Sequence, residues 1–268
     1  MCRRRQPAHQ EKHRENALWR TTRRYRSWPL ARKHHPVRKP RADRRPSRHH
    51  PALALAKRFV DDGRIGTIRH VRAQYLQDWL SDPLAPLTWR LDRQKAGSGA
   101  LGDIGAHSID TAQWMTGQSI DAVAFTAELS GGALGVFEAT RLALGRRNAN
   151  RIEINGDRGS VAFDFERMNE LEYFDGTDAE DSEGFRRIQV TDPVHPYAAH
   201  WWPTGHGLGY EHLLTHQVVD LVTDISGRRQ PSPSFASALQ IQRVLAAVQL
   251  SAANESRYTK VSLNTAKR

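Results

Sequence analysis

The sequence predicts an α+β fold: a largely antiparallel, open sheet with helices on one face, preceded by a disordered basic tail. The chain changes character at Pro51, because residues 1–50 hold 17 Lys and Arg against 3 Asp and Glu, whereas residues 51–268 hold 23 against 26. The second part begins and ends with helical spacing of apolar residues, and short alternating segments with turns between them fill the middle. We therefore expect a basic segment over 1–50 and one domain over 51–268.

The basic segment has too few aliphatic residues to form a core. Burial of apolar surface therefore cannot offset the conformational entropy that the segment would lose on folding. Three interpretations remain open: an arm for nucleic acid or an acidic surface, a targeting peptide, or sequence foreign to the domain that follows. Trp19, Tyr25 and Trp28 lie among arginines and could stack on bases, which favours the first. The chain has one cysteine and no apolar run of membrane-spanning length, so we expect a cytoplasmic protein without a membrane partner.

The domain is predicted to begin with a helix over 51–63, which Gly63 ends, and a strand over 65–79. Asn155–Gly159 is a strong hairpin signal. The remaining elements are a helix over 102–115, strands over 120–125, 135–144, 151–155, 160–165, 171–174 and 185–190, and helices over 210–225 and 235–253. Helices at both ends of a run of consecutive strands predict a sheet that is covered on one face.

The stretch 97–102 matches the dinucleotide pattern G-x-G-x-x-G, and Asp121 follows at a suitable distance. A dinucleotide site needs these glycines at the end of a buried strand within a βαβ unit. Four charged residues in 90–95 contradict such a strand. We favour the interpretation that residues 97–102 form a flexible loop that leads into a helix.

Asp103 and His107 are four residues apart on a predicted helix, which places them on one face. A carboxylate beside an imidazole can orient and tune a proton acceptor, so the pair is a candidate for general base catalysis. A purely structural pair is the alternative. Asp110 lies near the same face and belongs to the site or to the helix surface.

Five histidines fall close together near the C-terminus: His195, His200, His206, His212 and His216. The spacing of the last two suits a zinc helix, but Leu213 stands where a zinc protease carries its glutamate base. Pocket lining, with Trp201 as an aromatic platform, and plain packing are the alternatives to a metal site. We predict no metal ligands.

Several segments taken in order resemble the Gfo/Idh/MocA oxidoreductases, which include sugar and inositol dehydrogenases. The segments are PALALAKRFVDDGRIG from Pro51, GSGALGDIGAHSID from Gly97, GALGVFEATR from Gly132, EINGDRGS from Glu153 and SPSFA from Ser232. The resemblance implies the family's C-terminal domain, which binds substrate and often forms homo-oligomers through its sheet. It also implies NAD or NADP as the cofactor and a sugar or polyol as the substrate.

The same resemblance implies roles for individual residues. His107 is the expected general base for the alcohol, and Asp103 is expected to hold the substrate hydroxyl. The region of Trp201, His206 and Tyr210 is expected to lie at the mouth of the substrate site, where these side chains would bind the sugar.

The chain also departs from the family pattern. Residues 1–50 contain no glycine, so they cannot form the phosphate-binding turn of the family's dinucleotide domain. At 128–132 a hairpin closes where the family carries a further strand, which predicts that part of the sheet is absent. We therefore expect a truncated protein that neither binds NAD(P) nor oxidises substrate alone. The alternative is a basic-tailed binding protein for nucleic acid or an acidic surface on a dimerising scaffold.

Overall fold

The computed structural model describes residues 46–80, 89, 97, 99–123 and 126–262. The helices are α1 (Pro51–Asp61), α2 (Ala106–Thr116), α3 (Tyr210–Ser226) and α4 (Phe235–Ala253), and the strands are β1 (Ile68–Leu76), β2 (Ile120–Val123), β3 (Thr126–Leu129), β4 (Leu134–Thr140), β5 (Ala149–Gly156), β6 (Gly159–Asp164), β7 (Glu170–Asp175), β8 (Arg186–Gln189) and β9 (Thr259–Lys260). The predicted α+β class is confirmed.

The nine described strands form one sheet in the order β8-β7-β6-β5-β1-β4-β3-β2-β9. All the described pairs are antiparallel except β1 with β4, which run parallel with Val71 opposite Gly135 and Tyr75 opposite Ala139. The predicted turn at 155–159 joins β5 to β6 as a hairpin. Since β1 and β4 are parallel, their C-terminal ends lie at the same edge of the sheet.

Helices α1, α2 and α4 pack on one face of the sheet, as predicted. The alternation along β1 explains this, because Val71 and Ala73 point to the helices and are fully buried, while Arg72 between them points away and is exposed. Each Val, Leu, Ile, Phe or Met side chain that is buried fully in such a core contributes about 1.5–3 kcal/mol. The hydrophobic core therefore lies between these three helices and the inner face of the sheet.

The short helix Pro46–His49 precedes α1 and belongs to the folded domain, whereas the predicted boundary at Pro51 assigns these residues to the basic segment. Arg48 makes a buried ion pair with Asp110 of α2, and His50 caps α1 by accepting a hydrogen bond from the backbone N–H of Ala52 at 3.2 Å. Helix α3 lies against this short helix. The described fold therefore begins before Pro51, and residues 1–45 lie outside the described residues.

Candidate functional site

The edge where β1 and β4 end and β5 begins gathers polar and aromatic side chains. Tyr75 lies near the end of β1, and its hydroxyl donates to Asn148 Oδ1 at 2.8 Å, just before β5. Backbone hydrogen bonds from Gln77 to Thr140 (2.9 Å) and from Leu80 to Arg141 (3.1 Å) continue the pairing beyond the two strands. The parallel register thus brings the segment after β1 beside the segment after β4.

Asp103 and His107, the predicted catalytic pair, enter this edge from the start of α2. Asp103 lies in a π-helical turn over Leu101–Gly105, and His107 lies in the first turn of α2. Arg141 donates a hydrogen bond to the Asp103 carboxylate, and the ring of His107 lies 5.9 Å from that of Tyr75. The two residues therefore reach one neighbourhood that also contains Tyr75 and Arg141.

Tyr75 connects the predicted residues of the site electrostatically. Burial is the main cause that raises the pKa of its hydroxyl, and the nearby Tyr210 and Asp103 raise it further. The hydrogen bond to Asn148 and the charge of Arg141 act in the opposite direction. Tyr210 begins α3 and is half exposed, and its ring lies 6.0 Å from that of Phe165.

Trp201 and His206 make other contacts. The Trp201 indole N–H donates to His216 Nε2 at 2.7 Å, and its ring packs edge-on against His212 at 4.3 Å. His206 is exposed, and its Nδ1 lies 3.0 Å from the carbonyl of Pro203. Among the three predicted sugar-binding residues, Trp201 therefore contacts α3, His206 contacts Pro203, and Tyr210 contacts Phe165.

The comparisons with known proteins begin with a family model. The model for the GFO/IDH/MocA C-terminal domain matches residues 53–128. Levoglucosan dehydrogenase of Pseudarthrobacter phenanthrenivorans is 36% identical over 249 residues, which cover 78% of this chain and 64% of that protein. This chain belongs to the Gfo/Idh/MocA family.

Solved structures with similar sequences share the fold. An oxidoreductase domain protein from Kribbella flavida is 53% identical with a TM-score of 0.79, and the match covers 81% of this chain and 65% of that one. Levoglucosan dehydrogenase in complex with NADH and levoglucosan is 37% identical with a TM-score of 0.77, with coverage of 82% and 65%. The chain thus spans slightly less than two thirds of these relatives.

The glycine-rich stretch before Asp103 does not fit the pyrophosphate of NAD(P). Gly97 and Gly99 have φ values of +69° and +58°, and Gly102 lies inside the π-helical turn. In a dinucleotide site the glycines follow directly on a parallel strand, and the last described strand before this stretch, β1, ends at Leu76. Within residues 46–80, 99–123 and 126–262, no strand, glycine turn and helix combine into such a cradle.

The described residues contain no group of three His, Cys, Asp or Glu side chains that could hold a metal ion. Hydrogen bonds occupy the two histidines with zinc-helix spacing. His212 Nδ1 accepts from the backbone N–H of Gly209 at 2.9 Å, and His216 Nδ1 lies 3.0 Å from the carbonyl oxygen of His49. None of the described helices is long and apolar enough to cross a membrane.

Four further residues lie at this site without a sequence pattern that predicts them: Tyr75, Trp79, Arg141 and Asn148. Their segments are far apart in sequence, and only the parallel pairing of β1 with β4 and the antiparallel pairing of β1 with β5 join them. Arg141 ends the segment GALGVFEATR, which resembles the family, but its side chain carries no local signal of a role in the site.

Proposed function

We propose that this chain forms the sugar-binding half of an NAD(P)-dependent dehydrogenase that oxidises a hydroxyl group of a sugar or polyol. The observation that carries the proposal is the meeting of Asp103 and His107 with Tyr75 and Arg141 at one edge of the sheet. Levoglucosan dehydrogenase, which is similar over 82% of this chain, has been solved with NADH and a sugar bound. That similarity supports both the substrate class and a nicotinamide cofactor.

In this proposal the Asp103 carboxylate accepts a hydrogen bond from the substrate hydroxyl, and His107 takes the proton of the hydroxyl group that is oxidised. The Asp103 side chain is 52% exposed, so it can reach a ligand while Arg141 holds it from the protein side. A general base positioned in this way accelerates a reaction by about 10²–10⁴-fold. The nicotinamide of NAD(P) would accept the hydride from the substrate carbon.

The cofactor would be held by a dinucleotide-binding domain that the described residues do not supply. We therefore expect the chain by itself to be inactive as a dehydrogenase and to show no saturable NADH binding at concentrations on the order of micromolar. Titration of NADH fluorescence with the purified chain measures this directly. Saturable binding in that range would contradict this part of the proposal.

Sugar binding tests the proposal without the cofactor. Isothermal titration of the chain with levoglucosan and with L-sorbose should show saturable binding of at least one of them, since relatives have been solved with each. D103N should weaken this binding about tenfold, because a charged acceptor contributes about 1.5–3 kcal/mol. The matched control is D181N, which changes an exposed aspartate that accepts a hydrogen bond from Ser182 in the turn before β8, and it should leave the affinity unchanged.

Two outcomes oppose the proposal. If no sugar tested binds the chain, there is no substrate site, and if D181N weakens binding as much as D103N does, the loss does not come from the Asp103 carboxylate. The alternative function, binding of nucleic acid or an acidic surface, depends on residues 1–45, which lie outside the described residues.

We also propose that the chain forms homo-oligomers through the face of the sheet opposite the helices. This face is open over the strands β1, β4, β5, β6 and β7, and its side chains are accessible to a second copy.

A further inference from the structure

Trp79 is a rigid aromatic side chain at the edge of the proposed site. Its indole N–H donates to Gln77 Oε1 at 3.0 Å, and its ring lies against the Arg141 guanidinium, with 5.1 Å between Cζ and the ring centroid. The side chain is nevertheless 40% exposed, so ring surface stays accessible to a ligand. A hydrogen bond at the ring edge and a cation at one face fix the orientation of the indole.

Arg141 contacts both Trp79 and Asp103, although it is itself almost fully buried. Its side chain is 3% exposed, whereas the Asp103 carboxylate to which it donates is 52% exposed. Its Nε is enclosed and has no hydrogen-bond partner in the described part of the chain. Burying a guanidinium with incomplete partners is costly, so stability alone does not explain this arrangement.

We propose that Trp79 determines substrate specificity as a stacking platform for a ring-form sugar. Arg141 is the positioning residue that orients Trp79 and Asp103 together. This inference rests on the proposed sugar-binding function and names its substrate class. A closed sugar ring has one face of C–H groups that packs on an indole, while a hydroxyl at the ring edge reaches a carboxylate. An open-chain polyol has no such fixed face and loses several free torsions on binding.

The test compares levoglucosan, a closed-ring sugar, with D-sorbitol, an open-chain polyol, by isothermal titration with the whole chain. W79L should weaken levoglucosan binding about tenfold and change sorbitol binding by less than about twofold, because only the ring loses its stacking partner. W202L is the matched control, since Trp202 is 52% exposed and contacts Trp201 rather than the site. Its affinities for both ligands should equal those of the wild type.

Variants of Arg141 separate positioning from folding. R141M removes the charge and the planar face and should weaken levoglucosan binding at least about tenfold, while the midpoint of thermal unfolding stays the same or rises. R141K restores a cation beside Asp103 without the planar stack, so its affinity should fall between those of R141M and the wild type. A merely structural role for Arg141 would instead lower the unfolding midpoint, and R141K would restore it.

The outcomes separate the two proposals. If the wild type binds levoglucosan and D103N weakens that binding, but W79L has no effect or weakens both ligands equally, this inference is wrong and the proposed function stands. A loss in W202L alone would place the platform at the Trp201–Trp202 pair and would also overturn it. If neither ligand binds the wild type, the proposed function and this inference fail together.

Discussion

His50 is a fully buried imidazole that caps a helix as a neutral acceptor. Its Nδ1 accepts the hydrogen bond from the Ala52 N–H, and its ring packs 4.8 Å from that of Phe163. Burial lowers its pKa from 6.5 to about 3, and the nearby His216 contributes to this shift. The protonated form is therefore strongly disfavoured in the folded protein.

This capping arrangement predicts that the domain loses stability in mild acid. Because the folded pKa of His50 lies below the unfolded value, the unfolded chain takes up the proton first, and stability falls as the pH drops from 6.5 toward 3. At pH 5 the expected loss from His50 is about 2 kcal/mol relative to pH 7. Urea unfolding of the wild type at both pH values measures it.

The control for this prediction is H50N. An asparagine side chain can accept the same N-cap hydrogen bond, but it does not titrate. Its stability at pH 7 is expected to be lower because the packing against Phe163 is lost, yet its loss between pH 7 and pH 5 should be about 2 kcal/mol smaller. Equal losses in both proteins would show that His50 does not carry the acid sensitivity.

Local sequence pattern selects some residues of the proposed site and gives no signal for others. The spacing of Asp103 and His107 within one helical segment was enough to select them. Tyr75 lies in β1 and Arg141 directly follows β4, and no feature near either one indicates that the ends of these two strands meet. Pairing of distant strands is a property of the sheet, so these residues could be found only from the structure.

At the scale of elements, the junction between α1 and β1 depends on a close contact with the end of β5. Gly156 lies opposite Ile68, and a Cβ atom built on it would be 1.8 Å from the carbonyl oxygen of Ile65. Backbone cannot move away as a flexible side chain can. Only glycine fits at this position without displacing the connection that leads into β1.

We therefore expect G156A to destabilise the domain by about 3 kcal/mol, because the added methyl group forces two backbone segments apart. Gly184 is exposed, and nothing lies within 4 Å of a Cβ atom built there, so G184A should change the free energy of unfolding by less than about 0.5 kcal/mol. Urea denaturation of the three proteins measures both values. A G156A protein as stable as the wild type would show that the contact relaxes without cost.

The sequence patterns identified the principal helices and strands, but their pairing was only partly accessible. The hairpin at 155–159 could be predicted because a turn signal joins its two strands directly. The parallel pairing of β1 with β4 has no such local signal, and the two-residue strand β9 is too short to show alternation. The absence of a further strand at 128–132 stays a prediction, although the structure does have a hairpin there between β3 and β4.

At the scale of the whole molecule, the open face of the sheet is built from charges of both signs. Arg72 pairs with Glu153 at 3.7 Å, and Arg151 donates to Asp164 at 2.9 Å. These rows of paired charges on β1, β5 and β6 border a shallow depression of about 340 Å³. Leu134, which is 49% exposed, adds an apolar side chain to the same face. It lies two residues before the β4 residue that is paired with Arg72, and residues two apart in a strand point to the same face.

A surface with alternating charges can pair with a copy of itself around a two-fold axis, because each charge meets its opposite on the second copy. We therefore expect the chain to self-associate at about 50 mM salt and to dissociate progressively toward about 500 mM, where the screening length falls to a few ångströms. Sedimentation equilibrium at both salt concentrations measures this.

R72E should weaken the association about tenfold, since it places a like charge beside Glu153 and its copy. R147E is the control, because Arg147 is 84% exposed and pairs with Asp78 after β1, away from these rows. If the wild type is a monomer at both salt concentrations, or if R147E weakens the association as much as R72E does, this face is not the interface.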